Sequence, residues 1–243
     1  MLDRLAANHR VIAIDRPGFG HSDRPRARDW SPEAQARLMV QACAALGVDR
    51  PVVVGHSWGT LVALRMALDH PHGVSGLALL SGYYTPTPRL DVPAFSLTAV
   101  PILGDVLRYT LTPLMGWLMA PLAYRRLFQP SPVSGRFRAR FPLGMSLRPS
   151  ALRASGADTA RMIQGAAAIQ ARLAELKLPL LILAGTGDKI VDYETQSVGL
   201  HERVPCTKLR PVEDAGHKVH HIAPIAVAET IERLAGRTKP AMA

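Results

Sequence analysis

Val52-Val53-Val54-Gly55-His56-Ser57-Trp58-Gly59 is the stretch on which the fold turns. Three β-branched residues read as a strand, and Trp58 to His70, closed by Pro71, reads as a helix. Between them lies G-x-S-x-G, a strand-to-helix turn tight enough to hold its serine in strained backbone and push the hydroxyl beyond the sheet. Glycine is expected at 55 and 59 because side chains there would meet neighbouring backbone. The bland alternative is a serine that merely caps a helix, and partners elsewhere in the chain decide between the two.

Working outward, short β-branched runs alternate with helical patterns, the mark of a parallel sheet flanked by helices. Val11 to Ile14 reads as a buried strand. Ser31-Pro32-Glu33 opens a helix with a cap residue, a proline at the first helical position and an acid in the first turn, and Gly47 closes it. Leu77 to Leu80, Leu180 to Leu183 and, more weakly, Thr207 to Val212 are further strands, and a last helix enters at Pro224 and leaves at Gly236. The predicted class is α/β with a mostly parallel sheet. Residues 1–84 and 174–243 form its core.

Residues 85–173 differ in character. They are rich in proline, arginine, methionine and tryptophan, and their short helical pieces, such as Ile102 to Thr110, come without strand alternation. A structureless loop of that length is improbable inside a domain. We read the interval as a helical insertion seated on the sheet, with Gly156 to Leu176 as its closing helix.

Composition excludes several classes. With 243 residues and 48% hydrophobic content the chain buries a sizeable core. Met1 to Arg10 carries charge and lacks the apolar run of about 7 to 15 residues of a secretory signal. Tyr109 to Tyr124 is uncharged but interrupted by Pro113, Gly116 and Pro121, and falls short of the roughly 18 to 20 residues of a membrane span. Cys43 and Cys206 make no disulfide framework and no metal set, and fit small buried hydrophobes in a reducing, cytoplasmic compartment. The net charge of +10 reads as a solvated basic face, since no basic helix with interleaved aromatics points to nucleic acid. Oligomeric state has no signature in the chain.

Partners for Ser57 exist. Asp188, in Thr186-Gly187-Asp188, follows the strand Leu180 to Leu183, and His217, in Gly216-His217, follows the last strand. Both therefore fall at the carboxyl edge of the sheet, as Ser57 does. Serine, then aspartate, then histidine is one of the three common triad orders.

These motifs make the chain resemble the α/β-hydrolase family over nearly all of its length. Asp15-Arg16-Pro17-Gly18-Phe19-Gly20-His21-Ser22 resembles the family's D-x-x-G-x-G-x-S loop, Gly55 to Gly59 its elbow, Gly185 to Asp192 its acid-bearing segment and Ala215 to Val219 its histidine loop. The interval from Thr85 resembles its helical cap. Serine at 57, where related dehalogenases and epoxide hydrolases carry aspartate, argues against both of those activities. One feature departs from the pattern. In the family three strands precede the one matched by Val11 to Ile14, and the third, lying inside the sheet, ends in a His-Gly-type loop that donates an oxyanion N–H. Leu2 to Ala7 resembles the helix after that third strand, so the resemblance implies a core lacking its N-terminal strands and an upstream extension of the native chain. An unfilled slot beside Val52 to Val54 would leave backbone groups unpaired, each costing about 1 to 3 kcal/mol if buried.

The expected chemistry is acyl transfer to water. His217 takes the proton of Ser57, which attacks an ester-like carbonyl, while Asp188 holds the imidazole in the useful tautomer. The Trp58 N–H is the expected oxyanion donor, His56 an elbow-packing or substrate-side residue, and no metal or organic cofactor is required. The partner is a small, hydrophobic substrate, met by apolar residues such as Phe95, Leu107, Met115 and Trp117. Carbon–carbon bond hydrolysis by the same triad stays open. Two rivals stand beside this reading: a non-catalytic binding protein on the same fold, and a membrane-surface protein whose run Leu111 to Leu122, with Trp117, Arg108, Arg125 and Arg126, sits at a lipid interface. Apolar residues lining a cavity under the cap are the preferred account of that run.

Overall fold

A computed structural model describes residues 1–238. The four strands among them are β1 (Val52–His56), β2 (Gly76–Leu80), β3 (Leu180–Gly185) and β4 (Thr207–Val212), all parallel and in the order β1-β2-β3-β4. Val52 lies opposite Gly76, Leu77 opposite Leu180, and Leu180 opposite Thr207. Parallel strands need a crossover at each step, and the helices that supply them cover both faces.

That covering explains the composition of the central strands. Along β2 and β3 every residue is buried, and alternate side chains enter two different cores. Leu77, Leu79, Leu180 and Ile182 face the first core, which is completed by helices α2 (Pro32–Ala45) and α3 (Gly59–Asp69). Ala78, Leu80, Leu181 and Leu183 face the second, against helix α1 (Leu2–Ala6) and the C-terminal helix that begins at Pro224. The start signals of α2 are those expected: Ser31 accepts a hydrogen bond from the Ala34 N–H, Pro32 is the first helical residue, and Gly47 beyond the end has φ +63°. The C-terminal helix runs from Pro224 to Thr238, two residues past the expected exit at Gly236.

One expected strand is absent among the described residues. Val11 to Ile14 forms no ladder, and Ile12 and Ile14 stand exposed instead of buried. A strand is defined by its neighbour, and the flank of β1 away from β2 carries none. Val54, in the middle of β1, is exposed for the same reason.

Between β2 and β3 the regular structure is helical: α4 (Val92–Ser96), α5 (Leu103–Tyr109), α6 (Leu111–Phe128), α7 (Gly135–Arg140), α8 (Leu143–Ser146) and α9 (Pro149–Gln170). The closing helix α9 starts at Pro149, seven residues earlier than expected, and ends at Gln170, short of the expected Leu176. Past β3 follow a π-helical turn, Glu194–Val198, and α10 (Gly199–Arg203). After β4 come α11 (Val219–Ile222) and the C-terminal helix, α12 (Pro224–Thr238).

Candidate active site

Ser57 sits at the end of β1 with φ +54°, a left-handed conformation that a side chain adopts only when its surroundings enforce it. Its N–H donates to the Leu80 carbonyl at 2.9 Å, tying the turn to the end of β2. Close approach demands glycine at 55: a Cβ there would lie 2.9 Å from both the Gly59 carbonyl oxygen and the Thr60 Cα. At 59 the expectation fails, since a Cβ would meet nothing within 4 Å. Only the first glycine is required by packing.

From Ser57 a line of hydrogen bonds runs inward. The Oγ lies 2.9 Å from His217 Nε2, and His217 Nδ1 lies 2.8 Å from Asp188 Oδ2. The pairing assigns the histidine's proton to Nδ1, leaving Nε2 free to accept from the serine hydroxyl. His217 and Asp188 are both buried. The other carboxylate oxygen, Oδ1, accepts the backbone N–H groups of Ile190, at 2.7 Å, and Val191, at 3.2 Å, so Asp188 is fixed from both sides. The backbones that carry it pass close together: a Cβ on Gly185 would lie 2.1 Å from the Ala215 carbonyl oxygen, and one on Gly216 would meet the Phe128 and Gln129 carbonyls. Three residues far apart in sequence thus converge at one edge of the sheet.

The remaining predicted residues take distinct places. Trp58 is the N-cap of α3, so its N–H belongs to the first turn, where helices provide no internal acceptor. Its indole Nε1 donates to the Asp158 carbonyl at 2.8 Å, and the Arg16 guanidinium lies 4.4 Å above its ring. His56 donates from Nε2 to the His217 carbonyl oxygen at 3.0 Å and so braces the histidine loop. Trp117, by contrast, lies on α6 and stands exposed, as do Phe95 and Met115, while Leu107 is half-buried.

Sequence reasoning passed over Asp158, one of three acids in residues 85–173. Its buried carboxylate accepts from Arg16 at 2.6 Å, Arg24 at 2.9 Å and Gln35 at 3.2 Å, and this joins α9 to the Asp15–Ser22 loop and to α2. That rarity was the available signal. Also overlooked was a row of rings behind His217. His56 lies 4.9 Å from His217 and 4.5 Å from His220, which lies 4.5 Å from His221. Burial holds His56 well below the ordinary imidazole range and takes His220 down to about 3, with the neighbouring Lys218 charge adding to both. Burial also lowers Lys218 to about 8, partly offset by Asp188. His56 and His220 are therefore neutral at pH 7. The Asp15–Ser22 loop itself is held by Asp15, whose Oδ2 accepts the His21 N–H and whose carbonyl accepts the Ser22 hydroxyl.

No group of three or more metal-ligating side chains gathers among the described residues. The groove between β4 and α12, lined by Thr207, Leu209 and Arg233, lies at the opposite edge of the sheet from Ser57 and shares no residue with this site.

A parallel sheet sandwiched by helices, with a serine elbow and an Asp and a His loop at its carboxyl edge, defines the class as the α/β hydrolases. A family model of the alpha/beta hydrolase fold matches residues 1–224, and the chain belongs to that family. Among relatives, it is 28% identical over 236 residues to a 2-hydroxymuconate semialdehyde hydrolase of Pseudomonas sp. (strain CF600), a match covering 93% of this chain and 77% of the relative. It is 36% identical over 85 residues to RutD, named a candidate carbamate hydrolase, of Klebsiella pneumoniae (strain 342), covering 35% of this chain and about a third (32%) of that protein's length. Among solved structures, MGS-M2, an alpha/beta hydrolase enzyme from a Medee basin deep-sea metagenome library, superposes with a TM-score of 0.72 at 16% identity, over 94% of this chain and 80% of its own.

Proposed function

We propose that the protein is a serine hydrolase that cleaves an ester-like carbonyl bond of a small, hydrophobic substrate through an acyl-enzyme. Ser57 is the nucleophile, His217 the general base that takes its proton and returns it to the leaving group, and Asp188 the carboxylate that fixes the imidazole tautomer and stabilises its cation. The observation that carries this reading is the unbroken line Ser57 Oγ, His217 Nε2, His217 Nδ1, Asp188 Oδ2, at 2.9 and 2.8 Å. The positive φ of Ser57 supports it, because strained backbone at a tight turn is the mark of a residue presented for chemistry. The Trp58 N–H, in the first turn of α3, supplies one oxyanion donor. Residues 85–173 act as a cap over the core formed by 1–84 and 174–243.

A second reading keeps the same residues and changes the bond. The relative named 2-hydroxymuconate semialdehyde hydrolase matches nearly the full chain, and this favours trying a semialdehyde or related carbon–carbon substrate beside the esters.

A fluorophosphonate probe tests the proposal. The protein is expected to be labelled at Ser57, and Ser57→Ala is expected to lose both labelling and turnover of p-nitrophenyl esters while keeping its melting temperature. A folded wild-type protein that resists the probe would leave a binding scaffold instead of a hydrolase.

A further inference from the structure

From Thr112 to Ala120 helix α6 is packed inside out: its inward positions are small or polar, with Thr112, Pro113, Gly116 and Ala120 half-buried or buried, and only at its C-terminal end do Tyr124, Leu127 and Phe128 turn large side chains inward. A Cβ on Gly116 would lie 2.4 Å from the Leu147 side chain, so the helix approaches its neighbour through the glycine. The other large apolar residues of the helix point the other way. Leu114, Trp117, Leu118 and Leu122 are 58 to 69% exposed, and next to them on the α5 side Ile102 and Tyr109 reach 80 and 74%. Of the 21 large hydrophobic residues that are exposed in the described chain, 15 lie between Leu90 and Leu122. So dense a concentration of exposed apolar side chains marks a surface that something covers.

The charge around it says what kind of partner fits. Residues 85–173 hold eleven arginines, three aspartates, and no lysine or glutamate, so most of the chain's net charge of +10 belongs to this segment. At the C-terminal end of α6, Arg125 and Arg126 are exposed. Helix α7, whose Phe137 ring packs 5.1 Å from Tyr124 of α6, adds the exposed Arg138 and Arg140. These four make no ion pair among the described residues. A second copy of the chain would bring two such basic surfaces together, and their repulsion would oppose the contact. An anionic lipid surface meets both halves of the pattern: acyl chains for the leucines and tryptophan, headgroup phosphates for the arginines. No helix among the described residues is long and apolar enough to cross a membrane, so α6 would lie along the surface.

We propose that the outer face of α5 and α6, with the arginines of α6 and α7, docks the protein on an anionic membrane surface. The inference goes beyond the hydrolase reading and does not depend on it. Docking would act close to the candidate site, because the Leu127 carbonyl at the end of α6 accepts the backbone N–H of Lys218, next to His217.

The test is co-sedimentation of the full chain with phosphatidylcholine vesicles, with and without phosphatidylglycerol. Binding is expected to the anionic vesicles only, to fall with added salt, and to persist in the presence of soluble glycerophosphate. Leu114→Ser with Leu118→Ser should abolish it, and Arg125→Gln with Arg126→Gln should weaken it by about fivefold per arginine. Ser57→Ala should bind as the wild type does, which separates this proposal from the hydrolase reading. Quenching of tryptophan fluorescence by brominated lipid, lost in Trp117→Phe, would place α6 at the acyl chains and serves if the double leucine variant misfolds. Binding unaffected by any of these changes, no binding to either vesicle, or a concentration-dependent dimer that the leucine substitutions dissolve would each overturn it.

Discussion

The Nε2 of His56 lies 3.0 Å from the carbonyl oxygen of His217, so the residue before the elbow serine grips the backbone of the residue that faces the serine's hydroxyl. The contact spans the gap between β1 and the loop after β4, two segments with no shared ladder. If His217 is the base, His56 positions it without touching substrate. His56→Leu is then expected to lower kcat by about 10- to 100-fold, as small misplacements of a catalytic group do. KM should change little, and His56→Gln, which keeps a donor, should recover part of the loss. Equal losses in both variants would reduce His56 to a packing residue.

Asp188 accepts one imidazole N–H and two backbone N–H groups. Asp188→Asn keeps the shape but offers its amide the choice of a donor or an acceptor toward Nδ1, and so permits the wrong histidine tautomer. By analogy with other triads, kcat is expected to fall about 10⁴-fold. Pre-steady-state ester hydrolysis measures it, and a loss of less than tenfold would mean that another group orients His217.

The neutral imidazoles of His56 and His220 make stability depend on pH in a defined direction. An unfolded histidine binds a proton below about pH 6.5, whereas folded His220 does so only near 3, and His56 is also lowered. Between these values the unfolded chain holds more protons than the folded one. The histidine contribution is therefore fully present above about pH 6.5 and is lost on acidification, at about 1.4 kcal/mol per pH unit for each such histidine. Carboxylates held low by arginines, Asp91 and Asp105 among them, add a loss of the same sign nearer their own range. His220→Phe isolates the histidine part. It preserves the ring against His56 and removes an Nδ1 that is buried without a hydrogen-bond partner. Urea midpoints measured from about pH 7 to about pH 4.5 should fall less steeply in that variant, and parallel curves would refute the claim.

How far the sequence foretold this arrangement depends on whether each signal was local. The runs Leu77–Leu80 and Leu180–Leu183 announce buried strands because burial on both faces demands continuous apolar residues, whereas the equally apolar Val52–Val54 forms an edge strand with Val54 exposed. The loop order of Ser57, Asp188 and His217 was legible because each residue directly follows one of these strands or the weaker β4. Val11–Ile14 has the same local character and yet forms no strand, because pairing belongs to the neighbour and not to the run. The direction of α6 was hidden for a similar reason. Periodicity marks an apolar face, but it cannot say that Gly116 and Ala120 would be the inward one. Of the apolar residues expected to line a cavity, Phe95, Met115 and Trp117 stand exposed and Leu107 is half-buried.

The two elbow glycines offer a paired test of the site's packing. Gly55→Ala would force a methyl group to 2.9 Å from the Gly59 carbonyl and 3.1 Å from the Ala63 Cβ, so the elbow must open. Gly59→Ala places its methyl in open space within the first turn of α3, where alanine is the better helix former by about 1 kcal/mol. The first is expected to lower the melting temperature and fluorophosphonate labelling together, and the second to leave stability unchanged or raised. Indifference at position 55 would be incompatible with the packing described.

Asp158 ties the helical insertion to the core through charge, and the cost of removing it should depend on what remains. Arg24 is buried with its guanidinium on Asp158 Oδ1 and the Pro17 carbonyl, and Arg16 shares the other carboxylate oxygen while lying over Trp58. Asp158→Ala strands the buried Arg24 charge, and a loss of about 3 to 5 kcal/mol in unfolding free energy is expected. Removing Arg24 together with Asp158 is a different matter, because a buried ion pair replaced by apolar residues of similar volume is often neutral, and the remaining charged partner, Arg16, is partly exposed and keeps its bond to Gln35. Asp158→Leu combined with Arg24→Met should therefore be more stable than Asp158→Ala. The bond from Trp58 Nε1 goes to the main chain of residue 158 and survives both changes, so ester turnover by the double variant should stay near wild type. If instead turnover collapses while stability recovers, the carboxylate itself orders the elbow, acting through Arg16 on the face of Trp58.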